Sequence, residues 1–279
     1  MLKALGTWWS SLSPRLKTPL KQFWYECLSA LDRDADMIFM NYGWAGADGD
    51  TFLDLQPEDE PNRYCIQLYH RVASAIELRG LDVLEVGCGR GGGASYVKRY
   101  LEPQTLTGLD CTARAISFCQ EHYLVPGLRF VCGDAEALEF DDDSFDAVIN
   151  VESSHCYGAM DRFLAGVRRV LKPGGHFLCA DFRASEDVPI WRRQFREAGL
   201  AVVEEEPLNA AVVCALELDD ARKKALIQAK VPRLLRPIFN LFAGMEGTAP
   251  ISEMLRRGDV LYLRFVLKNI VRLASVEEC

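Results

Sequence analysis

The 279-residue chain has no apolar run long enough to span a bilayer. It has no CxxC pair and no His/Cys cluster at metal-ligand spacing, which excludes a zinc framework. Its ten cysteines (Cys27, Cys65, Cys88, Cys111, Cys119, Cys132, Cys156, Cys179, Cys214 and Cys279) are scattered. Several lie in apolar runs, where a free thiol behaves as a small hydrophobe, so a reducing cytoplasm without disulfides is expected. Basic charge is in deficit. The net charge of −8 excludes nucleic acid as a partner, because phosphate binding needs a basic surface. The N-terminus lacks the compact apolar region of a signal peptide, and Cys279, as the last residue, cannot belong to a prenylation box. No internal repeat or low-complexity segment is present.

Apolar residues, at 49%, suffice for the core of one α/β domain with additions. Residues 1–31 are basic and aromatic. Thr18-Pro19 reads as the N-cap and first position of a helix on which Leu20, Phe23, Trp24, Cys27, Leu28 and Leu31 recur at helical spacing. An acidic loop follows over 45–61, then a helix over 63–79 that Gly80 stops. From Leu81, short apolar runs (82–86, 105–109, 128–132, 145–151, 176–180, 201–206) alternate with helical patterns (94–101, 113–122, 160–171, 188–199). Pro173-Gly174-Gly175 reads as the stop of the third of these helices. Such alternation predicts βαβ units and a parallel sheet covered on both faces. Residues 210–258 break the rhythm with helix-like stretches at 218–230 and 231–242, before a last strand-like run at 260–267.

The sharpest local signal is Asp82-Val-Leu-Glu-Val-Gly-Cys-Gly-Arg-Gly-Gly-Gly93. A strand ends in a tight turn at Gly87, Gly89 and Gly91, and opens a helix whose first N–H groups are unpaired. The same stretch satisfies GxGxxG through Gly87, Gly89 and Gly92, so on this evidence alone a nicotinamide-dinucleotide fold stays open. Asp110 closes the next strand at a spacing suited to two ribose hydroxyls in either case. Glu85, inside the strand end, separates the readings: a negative charge suits a sulfonium and an ammonium, and suits a pyrophosphate badly. Gly133-Asp134-Ala135 closes the third strand, where a carboxylate can accept from an adenine amino group. Leu171-Lys-Pro-Gly-Gly175 precedes the fifth.

In order and spacing these motifs resemble the class I S-adenosylmethionine (SAM) dependent methyltransferases. The resemblance implies a Rossmann-like α/β fold: a seven-stranded, mostly parallel sheet in three αβα layers with the last strand antiparallel. It also implies SAM as methyl donor and S-adenosylhomocysteine as product. Carried over by residue, Glu85, Gly87 and Gly89 cradle the methionine part, Asp110 binds the ribose, and Asp134 with Ala135 binds the adenine, with Cys111 on the adenine face. Three further segments, Met40-Asn-Tyr-Gly-Trp44, Asn150-Val-Glu-Ser-Ser-His-Cys-Tyr-Gly158 and Phe242-Ala-Gly-Met-Glu-Gly-Thr248, resemble the mycobacterial phthiotriol and phenolphthiotriol dimycocerosate O-methyltransferases. Related sequences act on polyketides, sugars and sterol-like lipids. By that similarity Asn41 and Tyr42 close over the methionine end of SAM, and Asn150 lies near it. The implied organisation is a helical lid and cofactor-closing segment (1–61), a SAM-binding core (62–209), a helical lid insertion (210–258), and the last strand with a tail (259–279). The implied reaction is O-methylation of a lipophilic small molecule in secondary metabolism. C-methylation of a sterol-like or prenyl acceptor is the alternative, and a nicotinamide oxidoreductase or a non-catalytic SAM-binding protein are the readings from other classes.

A hydroxyl that accepts a methyl must lose a proton. His155 lies just past the fourth strand, where parallel sheets place ligands, and is the candidate base. Otherwise it bonds only locally, and proximity carries the rate. Glu152 orients the imidazole, acts itself, or bonds the 40–44 segment. Asp181 has no Asp-Asn partner for a metal site, so no metal is expected and the residue reads as solvated or helix-capping. Cys156 reads as packing, and His70, His122 and His176 as surface or satisfied histidines. The N-terminal helix reads as a lid. Its Trp8, Trp9, Phe23 and Trp24 beside lysines also suit weak contact with a membrane surface. Leu234, Leu235, Ile238, Phe239 and Phe242 are expected to wall the acceptor cavity where the two lid segments meet.

Overall fold

The computed structural model describes residues 37–46, 53–242 and 251–270. The helix expected over 1–31 lies outside these residues, as does the segment 243–248. Helix α1 (Arg63–Ala73) leads into β1 (Asp82–Val86), α2 (Gly92–Tyr100), β2 (Thr105–Asp110), α3 (Ala113–His122), β3 (Leu128–Cys132), β4 (Phe145–Val151), α4 (Met160–Val170), β5 (Leu171–Ala184), α5 (Val188–Glu197) and β6 (Leu200–Pro207). Four helices follow, α6 (Asn209–Leu218), α7 (Asp220–Lys230), α8 (Arg236–Phe242) and α9 (Ile251–Arg257), and then β7 (Val260–Asn269). The seven strands form one sheet in the order β3-β2-β1-β4-β5-β7-β6. Pairing is parallel from β3 through β5, and β7 runs antiparallel to both neighbours.

The central strands are apolar on both faces because helices cover both. On one face, Leu68 and Val72 of α1, Tyr96 of α2, Ile116 of α3 and Val212 of α6 pack with Leu106 and Tyr262. On the other, Phe163 and Val167 of α4 and Trp191 and Phe195 of α5 pack with Val86 and Phe265. Among the described residues no helix is long and apolar enough to cross a membrane.

Three elements differ from expectation. Helix α1 ends at Ala73 and not near residue 79. The Ser74 N–H (2.9 Å) and hydroxyl (2.6 Å) both donate to the His70 carbonyl, which closes the last turn locally. Pro173-Gly174-Gly175, read as a helix stop, lies inside β5, whose pairing with β4 begins at Leu171 and shifts register before His176. The stretch at 231–242 is not one helix. Pro232 cannot continue the ladder of α7, and Arg236 donates to the Val231 and Gln228 carbonyls at 2.9 and 2.7 Å, sealing its end. Asn209 ties the insertion to the sheet. Its Nδ2 donates to the Leu255 and Val260 carbonyls and its Oδ1 accepts the Tyr262 N–H, all at 2.8 Å.

Candidate active site

The carboxyl ends of β1, β2, β3 and β4 surround a cavity of about 370 Å³. At the turn from β1 to α2, Gly87 adopts φ +77°. A Cβ there would lie 1.9 Å from Ser153 Oγ, so only glycine lets β4's outgoing chain close against the turn. Of the residues singled out from sequence, Asn41, Gly87, Gly89, Asp110, Cys111, Asp134, Ala135 and Glu152 line the cavity. Tyr42, Glu85, Asn150 and His155 stand behind that lining. Phe39, Met40, Tyr69, Glu136, Ser153 and Tyr157 also line it, and the sequence reading missed them.

Three buried acceptor oxygens beside this cavity have no donor among the described residues: Glu85 Oε2, Asn150 Oδ1 and Asn41 Oδ1. Glu85 is 1% exposed, and its Oε1 accepts the Tyr69 hydroxyl at 2.8 Å. Asn150 spends its amide N–H groups on Val86 O (2.8 Å) and Tyr157 Oη (3.1 Å), and Asn41 spends one on Cys65 O (3.3 Å). Each orphan acceptor costs about 1–3 kcal/mol, so the cluster suits a ligand rich in N–H donors. Burial pushes the Glu85 carboxyl up to about 7. The Tyr69 hydrogen bond opposes this and the nearby Asp110 charge adds to it. A cation beside Glu85 would relieve that burial penalty.

Asp110 accepts the Gly89 N–H (3.0 Å) and the Thr112 N–H (2.8 Å), which fixes the carboxylate at the rim. Asp134 accepts the Glu136 N–H at 2.8 Å. Glu136 in turn accepts from the Gly158 (2.6 Å) and Ala159 (3.1 Å) N–H groups, locking the loop after β3 to the start of α4. Residues 37–46 form a strap across the glycine turn, so close that a Cβ on Gly92 would meet Ile38 O at 2.8 Å. Glu152 pins the strap: its Oε1 accepts the Tyr42 N–H (2.7 Å) and the Tyr262 hydroxyl (2.8 Å). Of the three roles considered for Glu152, this is the bond to the 40–44 segment. Burial pushes its carboxyl up to about 7, against those two hydrogen bonds.

His155 pairs with Asp181 and not with Glu152. Its Nδ1 lies 2.8 Å from Asp181 Oδ1, and since a carboxylate can only accept, Nδ1 carries the hydrogen. Asp181 also accepts the His155 and Phe182 N–H groups (2.8 Å each) and the Ser154 hydroxyl (2.7 Å). This corrects the reading of Asp181 as solvated or helix-capping. The residue is 0% exposed, because the short 3-10 turn Ser154–Cys156 folds over the end of β5. The imidazole stacks on Phe182, with ring centroids 4.4 Å apart. Burial alone would lower the imidazole pKa. The electrostatics of Cys156 and Asp181 outweigh it and push it up to about 10, while the same pairing, helped by Arg183, holds the Asp181 carboxyl well below the usual range against its own burial.

The expected acceptor wall is not gathered at this cavity. Leu234 is 92% and Leu235 37% exposed, because the chain turns outward between α7 and α8. Phe239 is buried but does not border the cavity. The side chains of Ile238 and Phe242 lie outside the described ones.

The sheet order, the glycine turn and the carboxylates at successive strand ends define a class I SAM-dependent methyltransferase. A family model described as a methyltransferase domain matches residues 84–179. The chain is 42% identical over 241 residues to the phthiotriol/phenolphthiotriol dimycocerosates methyltransferase of Mycobacterium leprae, covering 86% of this chain and 88% of that protein. It is 45% identical over 204 residues to the fatty-acid O-methyltransferase of Mycolicibacterium smegmatis, covering 73% and 74%. Among solved structures, the cyclopropane synthase MmaA2 from Mycobacterium tuberculosis shares the fold at TM-score 0.64 and 15% identity, over 86% of this chain and 95% of that one. The cyclase SpnF shares it at 0.67 and 20%, over 90% and 94%. The chain belongs to the family of the phthiotriol/phenolphthiotriol dimycocerosates methyltransferases.

Proposed function

We propose that this enzyme methylates a hydroxyl of a lipophilic small molecule, with His155 as general base held by Asp181. The observation that carries the reading is the partly exposed His155 ring held by the fully buried Asp181, next in the chain to cavity-lining Cys156. The names of the relatives, which specify dimycocerosate lipids and fatty acids, support the acceptor class. The site fits SAM. Glu85, Asn150 and Asn41 would receive the amino-acid end with their orphaned oxygens. Asp110 would take the ribose hydroxyls, and Asp134 with Ala135 the adenine edge beside Cys111. Gly87 and Gly89 leave room for the backbone to approach, and Asn41 and Tyr42 close the strap. SAM supplies an electrophilic methyl group on a sulfonium. The chain's own contribution is alignment, exclusion of water by the strap, and removal of the acceptor's proton. Asp181 accepts the Nδ1–H of His155 and Cys156 also hydrogen-bonds the side chain, so both position the ring proposed to take that proton. With its pKa near 10 the ring is mostly protonated at neutral pH, so turnover draws on a neutral minority and rises with pH.

One observation favours C-methylation instead: Phe182 has the rings of Tyr42, His155 and Tyr262 around it, and aromatic faces of this kind stabilise a cationic centre. Incubation with SAM labelled at the methyl carbon and a fatty-acid and polyketide lipid fraction separates the two. A methoxy signal in the product supports the proposal, a new carbon–methyl signal transfers it to the second reading, and SAM binding without transfer to any lipid overturns both.

A further inference from the structure

The turn between α7 and α8 combines two features found together nowhere else among the described residues. Pro232, Arg233, Leu234, Leu235 and Pro237 are all exposed, with Leu234 at 92%. Other large exposed apolar side chains, such as Leu124 and Ile190, stand singly, except for Val202 and Val203, which three glutamates follow directly. The second feature is charge. Between residues 221 and 237 the chain carries six basic residues, Arg222, Lys223, Lys224, Lys230, Arg233 and Arg236, and no acidic one, although the whole chain has a net charge of −8. Asp219 and Asp220 pair with Arg222, Lys223 and Lys224 at the opposite end of α7, so the basic residues at the turn itself are Lys230, Arg233 and Arg236, with no acid beside them in the chain from 221 to 237.

We infer that this turn docks the enzyme on an anionic lipid surface, with Leu234 and Leu235 entering the interface and Arg233 among the headgroups. An exposed leucine pair alone binds membranes weakly, and a basic patch alone is screened by salt within a Debye length. Reversible surface binding takes both signals, and both are present here. The acidic remainder of the molecule is repelled by the same surface, so the basic turn sets the docking orientation. The inference needs neither cofactor nor acceptor, and it therefore stands or falls separately from the proposed reaction.

The test is flotation of the full chain with vesicles of phosphatidylcholine alone, or of phosphatidylcholine and phosphatidylglycerol in equal parts. The expected result is binding to the anionic vesicles, weakened by high salt, and little binding to the neutral ones. In Leu234→Asp/Leu235→Asp, affinity for anionic vesicles should fall at least tenfold, and in Arg233→Glu it should fall measurably. A retained SAM-induced rise in melting temperature shows that each variant is folded. Absence of anionic-vesicle binding by the unaltered chain overturns the inference, as does undiminished binding by the leucine variant. A solution dimer of the unaltered chain that the leucine variant dissociates also overturns it, by showing that the turn meets a second copy.

Discussion

Asp110 lines the cavity and accepts one backbone N–H on each carboxylate oxygen, which leaves each oxygen capacity for a further donor. Hydrogen bonds to a charged acceptor are worth about 1.5–3 kcal/mol each. Asp110→Ala should therefore weaken SAM at least about tenfold by calorimetry, and unchanged affinity in a folded variant would remove Asp110 from the site. Glu85 makes a second prediction. Its folded pKa is raised to about 7 by burial, so below that pH the empty site holds a proton there. A cationic ligand favours the carboxylate and expels the proton. SAM affinity should therefore fall as pH drops below about 7, by up to about tenfold per pH unit, with proton release visible in buffers of different ionisation heat. Glu85→Gln should flatten that dependence, and a pH-independent affinity in the unaltered chain would refute the link. For His155 the rate should rise with pH as the imidazolium loses its proton toward about 10. His155→Ala should lower kcat by ~10²–10⁴ with SAM affinity retained. Asp181→Asn removes one of the charges that raise the pKa, so its rising limb should move to lower pH while its plateau falls. A mutant limb at the original position would show that Asp181 does not act through His155.

At the scale of elements, the strap over 37–46 is the part most directly tied to cofactor residence. Glu152 holds it from a left-handed backbone position, φ +46°, through one oxygen shared by Tyr42 and Tyr262. Removing that acceptor in Glu152→Ala leaves two donors unpaired. SAM should bind about tenfold or more weakly, and amides at 41–46 should exchange faster while those of β4 do not. Glu152→Gln keeps an acceptor oxygen and should lose less. Full SAM affinity in the alanine variant would mean the strap is held by its other contacts, such as Trp44 N to Tyr64 O. The sheet was legible in the sequence because period and punctuation agreed there: the helix expected over 113–122 is α3, and the runs at 82–86, 128–132 and 145–151 are β1, β3 and β4. The carboxylates Asp110 and Asp134 were placed at the cavity for the same reason, one closing β2 and the other just past β3. The burial of Asp181 was not legible, because it depends on the turn at Ser154–Cys156, which reaches it across the sheet. The exposure of Leu234 and Leu235 was not legible, because apolar spacing continues through 231–235 where the chain, after Pro232, forms a turn instead of helix.

For the molecule as a whole, stability should be distributed unevenly. Strands β1, β4, β5 and β7 are hydrogen-bonded on both sides and buried between two helix layers. Their amides open only when the whole sheet does. Helix α7 contributes little to either core: only Asp220 and Ile227 are buried, and the turn after it stands in solvent. Local opening free energy follows buried apolar contact and not helix content. Native-state hydrogen exchange of the cofactor-free protein should therefore show residues 220–237 exchanging much faster than β4 and β5, through openings that do not expose the sheet. SAM should protect the strap and the β1–α2 turn strongly, because its proposed ligands are there. It should protect 220–237 weakly, because none of those residues borders the cavity. Adding a lipid acceptor together with S-adenosylhomocysteine then asks whether the insertion closes on the acceptor: a rise in protection at 220–237 in that ternary state, and only there, identifies the segment as the acceptor's cover. Protection equal to that of β4 in the cofactor-free protein would show instead that the insertion is a fixed part of the fold.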